Sequence, residues 1–172
     1  MSLTRPLHRA TLSLGSNLGD RYENLIEGIA YLLAHGLSLL DCSGIYETVP
    51  VGYTDQPDFF NMVVCMATAL EPLDLLEACQ GAERSRLRER VIHWGPRTLD
   101  VDILLYDDVA MDTPILTLPH PRMAERAFVM GPMAEMDPDL AVNLALPDGS
   151  IDFTGILHKI PAIDVKIRIA NR

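Results

Sequence analysis

Residues 94–105 read WGPRTLDVDILL, a polar turn that continues into an apolar strand carrying two aspartates. Successive side chains of a strand point to opposite faces, so Asp100 and Asp102 leave the same face about 7 Å apart at the backbone, while the intervening apolar side chains enter a core. Two like charges on one face persist when a cation lies between them, and Mg²⁺ accepts one or two protein carboxylates. Arg97 adds a planar cation suited to phosphate. A solvated strand end with an incidental Asp-x-Asp is the alternative, and the Trp-Gly-Pro-Arg turn favours the metal site.

Length and composition predict one globular domain over residues 1–172. The chain is 48% hydrophobic and 22% charged, values typical of a folded soluble protein. No apolar run approaches the length of a membrane span, and the N-terminal segment lacks the apolar core of a signal peptide. The cysteines, Cys42, Cys65 and Cys79, are widely spaced in apolar contexts and predict reduced core thiols. Reduced thiols indicate a cytoplasmic protein. The expected state of the chain is a monomer, although no pattern in the sequence defines it.

The charge distribution predicts a small anionic ligand. A net charge of −10 argues against nucleic acid and against an anionic membrane surface. Five of the 14 Lys and Arg residues nevertheless fall within fourteen positions: Arg84, Arg86, Arg88, Arg90 and Arg97. Such a cluster fits one highly charged small molecule, and a solvated helix end is the alternative that composition leaves open.

Hydrophobic periodicity predicts the order β-α-β-β-α-β. Asp20 and Glu23 form a capping box that begins the first helix, Gly36 ends it, and Pro72 begins the second. The predicted strands are residues 10–14, 37–48, 59–70 and 99–106, and the second helix reaches about residue 84. The segment GSNLGD, residues 15–20, lacks a phosphate-loop pattern and is interpreted as a structural turn.

This order predicts an α+β protein with a ferredoxin-like antiparallel sheet, helices on one face and short C-terminal additions. The Pro-rich segment 113–126 is expected to be irregular, and residues 84–93 to form a basic loop. A short helix is expected over 128–136. The tail after residue 151 is predicted to form a short helix followed by a strand over 162–169.

Four stretches together are similar to one enzyme family. They read LSLGSNLGDR (12–21), YETVPVGYTDQPDFFN (46–61), WGPRTLDVDILL (94–105) and LPHPRMAERAFV (118–129). In this order they resemble 6-hydroxymethyl-7,8-dihydropterin pyrophosphokinase, over roughly residues 10–140. The resemblance implies a folate-pathway enzyme that transfers pyrophosphate from ATP to a pterin alcohol, on a β-α-β-β-α-β core. It implies ATP and the pterin as small-molecule partners.

The resemblance also implies roles for individual residues. Asp100 and Asp102 match the aspartates that hold two Mg²⁺ ions. The catalytic positions are Arg86, Arg88, Arg97, Asp100 and Asp102. The pterin positions, including two ring-stacking aromatics and an amide, are Thr48, Val49, Val51, Phe59, Asn61, Trp94 and Phe128. The ATP positions are Gln80, Glu83, Arg97, Leu99, Thr117, His120 and Arg126.

One segment departs from the family pattern. The family commonly has Gly-Arg-x-Arg in a mobile loop before the tryptophan, whereas residues 83–97 here read ERSRLRERVIHWGPR, without that glycine. Arg86 and Arg88 are the natural equivalents of the loop arginines, and Arg84 or Arg90 are alternatives. The difference concerns loop closure more than the reaction.

Two other functions compete with the active pyrophosphokinase. A binding or regulatory module on the same fold would have a damaged site, whereas Asp100, Asp102, Asn61 and Arg97 are all present. A generic Mg-dependent phosphatase or nucleotidyltransferase would use the aspartates and arginines but leave the aromatic pair and Asn61 unexplained.

Overall fold

The computed structural model describes residues 5–86 and 96–172. The first helix forms where the capping signals place it: Asp20 accepts a hydrogen bond from the backbone N–H of Glu23 at 3.0 Å, and Gly36 follows with φ +91°. The strands are β1 (His8–Ser16), β2 (Leu37–Cys42), β3 (Ile45–Thr48), β4 (Phe59–Thr68), β5 (Asp100–Tyr106), β6 (Met111–Asp112), β7 (Thr117–Leu118) and β8 (Ile156–Ile160). The α-helices are α1 (Arg21–Ala34), α2 (Pro72–Ser85), α3 (Ala127–Met136), α4 (Pro138–Asn143) and α5 (Ala162–Ala170), and a 3-10 turn covers Met123–Glu125.

The main sheet has the order β5-β1-β4-β3-β8, with β2 also paired to β4, and all of these pairs are antiparallel. The predicted mixed fold with an antiparallel sheet is therefore confirmed. The prediction of one strand over 37–48 was wrong, because Ser43 and Gly44 interrupt the strand and separate β2 from β3. The Ser43 hydroxyl accepts from the backbone N–H of Val63 at 2.9 Å and donates to the carbonyl of Gly44 at 2.7 Å.

Helices cover both faces of this sheet, so the expectation of helices on one face was wrong. On the first face, α1 and α2 pack on a large core that includes Leu12, Leu14 and Met62. On the second face, α3 and α4 pack on a smaller core with Val63 of β4 and Leu104 of β5. The second layer covers only part of that face. The part that these helices leave uncovered, toward the start of β5, carries the polar side chains of Ser13, Asn61, Asp100 and Asp102.

The C-terminal segment also differs from its prediction. Its strand comes first, as β8 on the outer edge of β3, and residues 162–169 are helical. The alternating sequence AIDVKIRIA resembles a strand, but Val165 is fully buried and Ile169 packs beside the same core at helical spacing. Lys166 pairs with Asp41 at 2.8 Å and holds this helix on β2.

Further predictions of local secondary structure are confirmed where the structure describes them. The helix over 128–136 is α3, and the segment 113–126 contains only β7 and the 3-10 turn. The second helix ends at Ser85, and most of the predicted basic loop lies outside the described residues. Within residues 5–86 and 96–172, no helix is both long and apolar enough to cross a bilayer.

Candidate active site

The polar part of the second face forms the floor of a cavity of about 490 Å³. The strand register places side chains from three strands in rows. Gly15 of β1 pairs with Asn61 of β4 on one side and with Asp100 of β5 on the other, and Ser13 pairs with Asp102 in the next row. All five residues line the cavity. The period of two along each strand therefore puts an amide and two carboxylates on one surface.

The two carboxylates each lie beside an arginine. Arg97 Nη1 is 2.7 Å from Asp100 Oδ2, and Arg126 Nη1 is 3.7 Å from Asp102 Oδ2. The side chains of Asp100 and Asp102 remain 23% and 38% exposed, so both are open to a ligand. The cations offset the repulsion between the carboxylates and present guanidinium groups to the same space.

The two carboxylates are typical of an Mg²⁺ site whose other ligands come from water and substrate and not from the protein. In the described ranges, no group of three or more His, Cys, Asp or Glu side chains is placed to bind a metal. Mg²⁺ typically takes one or two carboxylates and completes its six ligands with water and phosphate oxygens. Asp100 and Asp102, both facing open volume, fit that requirement.

A second cavity, of about 530 Å³, lies on the other side of these carboxylates, between α2 and the outer edge of β5. Gln80 and Glu83 of α2 line it together with Asp100 and Asp102. Glu83 Oε1 accepts a hydrogen bond from the backbone N–H of Val101 at 3.0 Å, which fixes the end of α2 to the edge strand. The two aspartates are thus shared by two neighbouring cavities.

The opposite end of the first cavity is built to hold a planar polar molecule. The Asn61 amide donates to Thr48 Oγ1 at 2.6 Å, and both residues are buried. Gly15 makes room for this amide, since a Cβ at that position would lie 2.6 Å from Asn61 Oδ1. Phe59 and Phe128 supply aromatic faces from β4 and α3, and an arginine lies beside each ring. The amide edge and the rings are the groups that recognise a heterocycle.

The loop over residues 49–58 forms one wall of this end. Val49 and Val51 line the cavity and are 56% and 64% exposed. The backbone N–H of Val49 donates to the carbonyl of Gly155 at 3.3 Å, so the turn before β8 supports the start of the loop.

His120 approaches the same cavity from the irregular segment after β7. Its backbone N–H donates to the Leu104 carbonyl at 2.9 Å, which anchors the residue beside β5. Burial, and next the positive charge of Arg126, lower the pKa of the imidazole. The Arg122 backbone N–H donates to Nδ1 at 3.2 Å. A neutral ring with Nε2–H as its donor satisfies this contact and is ready to bind an anion.

Three predicted residues lie elsewhere. The side chain of Leu99 is fully buried in the first core, against Gly28, and does not line either cavity. Thr117 hydrogen bonds to Asp112 at 3.3 Å, outside both linings. Arg86 donates to the Asn24 side-chain carbonyl from Nε and Nη2, at 3.1 and 2.9 Å, and is likewise outside both linings. Arg88 and Trp94 lie outside the described residues.

Several lining residues were missed by the sequence reasoning. The signal for two of them was present in residues 12–16, LSLGS, where small polar residues alternate with leucines. The others come from the loop over 49–58, from the 3-10 turn with its flanking residues and the start of α3, and from the turn before β8 with the first residue of that strand. The missed lining residues of the first cavity are Ser13, Gly15, Gln56, Arg122, Glu125, Ala127, Asp152, Thr154, Gly155 and Ile156.

Comparison with known proteins identifies related sequences. The model of the family 7,8-dihydro-6-hydroxymethylpterin-pyrophosphokinase matches residues 11–138. A 2-amino-4-hydroxy-6-hydroxymethyldihydropteridine pyrophosphokinase of Bacillus subtilis is 48% identical over 128 residues, which are 74% of this chain and 77% of the relative. The Pseudomonas aeruginosa protein of the same name is 42% identical over 144 residues, 83% of this chain and 86% of the relative.

Solved structures share the fold. The wild-type HPPK-DHPS of Plasmodium falciparum superimposes with a TM-score of 0.60 at 16% identity, over 80% of this chain. This chain spans only 42% of that longer one. At this identity the likeness concerns the fold alone.

Proposed function

Since this chain belongs to the 7,8-dihydro-6-hydroxymethylpterin-pyrophosphokinase family, we propose that it transfers pyrophosphate from ATP to the hydroxymethyl group of 6-hydroxymethyl-7,8-dihydropterin. As a pyrophosphokinase it is a transferase of folate biosynthesis. The observation that carries the detailed proposal is the position of Asp100 and Asp102, which line both cavities at once. Two substrates in adjacent cavities would meet at these carboxylates.

The pterin is assigned to the first cavity. The Asn61 amide and backbone groups near Thr48, Val49 and Val51 would read the edge of the heterocycle, and Phe59 and Phe128 would cover its faces. Trp94 is proposed to contribute to the same pterin site. The hydroxymethyl group would then extend along the floor toward Asp100.

The nucleotide is assigned to the second cavity, with its phosphates directed at the shared carboxylates. Gln80 and Glu83 line that cavity. Arg97, Arg126 and His120 reach the junction from the first cavity, where positive and hydrogen-bonding groups suit a triphosphate. Leu99 and Thr117 would act only through backbone groups or neighbours, because their side chains lie away from the cavities.

We assign a pair of Mg²⁺ ions to Asp100 and Asp102. When bound, such ions neutralise phosphate charge and polarise an attacking alcohol. The chain's own groups position the reactants and stabilise the charge of the transition state, which is most of what phosphoryl transfer requires of a protein. Arg97 is held in place for this task by Asp100 and by its backbone contacts.

The reaction follows from this placement. The pterin hydroxyl oxygen forms a bond to the β-phosphorus, and the bond from that phosphorus to the oxygen bridging the α-phosphate breaks. AMP leaves with the bridging oxygen, and the hydroxyl proton passes to solvent. Arg86 and Arg88 remain candidates for closing over the phosphates, although Arg86 contacts Asn24 here.

We further propose that the chain acts as one monomeric domain in the cytoplasm without nucleic acid or membrane partners. The three cysteines, all free and buried, support a reducing compartment. We assign the ferredoxin-like arrangement to β1, α1, β2, β4, α2 and β5. The antiparallel order β5-β1-β4-β2 supports that assignment.

The experiment is to incubate the enzyme with Mg-ATP and the hydroxymethyl dihydropterin and to identify the nucleotide product. The proposal predicts AMP and a pterin pyrophosphate. Asp102→Asn should abolish turnover while the circular dichroism spectrum stays unchanged. Asp108→Asn, an exposed neighbour outside both cavities, serves as the matched control with full activity. ADP as the product, or an active Asp102→Asn variant, would rule out the mechanism.

A further inference from the structure

Asn17 lies in the turn between β1 and α1 and is only 2% exposed. Its side-chain carbonyl accepts from the backbone N–H of Arg97 at 2.9 Å, and its own backbone N–H donates to the Arg97 carbonyl at 3.1 Å. The turn is thus joined at two points to the residue that holds Asp100. Asn17 itself lines neither of the two cavities.

The same side chain also holds the loop over residues 49–58. Asn17 Nδ2 donates to Gln56 Oε1 at 2.9 Å and to the Pro57 carbonyl at 2.8 Å. Gln56 lines the first cavity and itself donates to the Tyr53 carbonyl at 2.6 Å, so this anchor reaches the middle of the loop. Both amide donors of Asn17 are therefore used on one segment and its acceptor on another.

We propose that Asn17 is a positioning residue that couples the pterin loop, residues 49–58, to the phosphate segment that begins at Arg97. The inference rests on the proposed function, since it names these segments by the substrates assigned to them. Its consequence is specific: the amide group fixes the distance between two segments that bind different substrates. The guanidinium carbon of Arg97 lies 5.9 Å from the centre of the ring of Phe59, the residue that follows the loop, so a shift of either segment changes their contact.

Two substitutions of Asn17 distinguish its contacts with the pterin loop from its contact with Arg97. Asn17→Asp keeps an acceptor for Arg97 but places an oxygen against two carbonyl oxygens, because the donors to Gln56 and Pro57 are lost. The Asn17 side chain is buried, so a carboxylate oxygen that faces two carbonyl oxygens there is unfavourable, and the loop is expected to move away. Asn17→Ala removes the side-chain hydrogen bonds to the pterin loop and to Arg97.

The test measures binding by calorimetry, with 6-hydroxymethyl-7,8-dihydropterin and with α,β-methylene ATP plus MgCl₂ as separate probes. Asn17→Asp should raise the Kd for pterin by about tenfold and leave the Kd for the nucleotide within about twofold. Asn17→Ala should raise both values. Ser43→Ala is the matched control, because Ser43 is fully buried and its hydrogen bonds lie within the sheet, at the junction of β2 and β3. This control should lower thermal stability and change neither Kd.

The outcomes separate this inference from the proposed function. Equal changes of both Kd values in Asn17→Asp, or no change, would overturn the coupling role. A wild-type enzyme that binds both probes, shows the expected split in Asn17→Asp and yet releases no AMP would contradict the proposed function alone. AMP release without the split would contradict the inference alone.

Discussion

Replacing Gly15 with alanine tests how the floor of the first cavity holds Asn61. The added Cβ would lie 2.6 Å from Asn61 Oδ1, whereas real Cβ contacts stay beyond 3.0 Å, so the amide must move by at least 0.4 Å. Gly15 has no positive φ, and alanine fits its backbone without strain. The perturbation is therefore confined to the contact with Asn61.

The amide has little freedom to absorb that displacement. It is buried, and its donor is already committed to Thr48 at 2.6 Å. The weaker hydrogen bond and the misaligned amide together reduce the free energy of pterin binding by about 1 kcal/mol, which is roughly fivefold in affinity. The same crowding against Asn61 also lowers the free energy of unfolding by about 1–3 kcal/mol.

The assay is a double-mutant cycle with Asn61→Ala, measuring the KM for pterin and for ATP in all four proteins. Gly15→Ala alone should raise the KM for pterin about fivefold and leave the KM for ATP within about twofold. In the Asn61→Ala background the added methyl group meets no amide, so it should have no further effect. Equal losses in both backgrounds would refute the idea that Gly15 acts by making room for Asn61.

Three further outcomes follow from the contacts of single side chains. The backbone N–H of Arg9, followed by the contact with His8, lowers the pKa of Asp107 below its ordinary value of 3.8, so Asp107→Asn should lose stability at pH 7. Urea unfolding at a series of pH values should show that the difference in free energy of unfolding from wild type vanishes as the pH falls through the pKa of Asp107 in the folded state. A difference that does not depend on pH would contradict this prediction. His120, whose pKa burial and Arg126 lower, should titrate in NMR below the usual histidine range; Mg-ATP should raise that pKa, and an unmoved pKa would argue against a phosphate contact. Tyr46→Phe removes the 2.6 Å hydrogen bond to Glu135 and should lower the free energy of unfolding by about 1 kcal/mol with kcat unchanged; equal stability would mean that water replaces the bond.

Local patterns allowed most of the fold to be predicted from sequence. The N-cap at Asp20 and the alternation around Asp100 depend only on neighbours in the chain, and both occur as expected. The reciprocal half of the predicted capping box is replaced, since the Glu23 carboxylate binds Arg168 and Arg172. The second helical layer escaped prediction because no local pattern states which sheet face a helix covers. The last helix escaped because AIDVKIRIA alternates like a strand, and only its packing on the first core resolves the ambiguity.

The candidate site likewise contains residues that local sequence motifs identify and residues that only the pairing of distant strands brings in. Residues of the long motifs, such as Asn61 and Phe128, line one cavity. The row of Gly15, Asn61 and Asp100 follows from strand register, which joins positions far apart in the sequence. The contribution of Asp152 to the cavity depends on β8 pairing with β3, for which the sequence offers no local signal.

The central claim is that a pyrophosphoryl group, and not a single phosphoryl group, moves across the carboxylates shared by the two cavities. The direct measurement uses ATP labelled separately at the α-, β- and γ-phosphorus and follows each label during one turnover with the hydroxymethyl dihydropterin. The β- and γ-labels should both appear in the pterin product, and the α-label should remain in AMP. A pterin product that carries the γ-label alone, with the β-label left in ADP, would contradict the account.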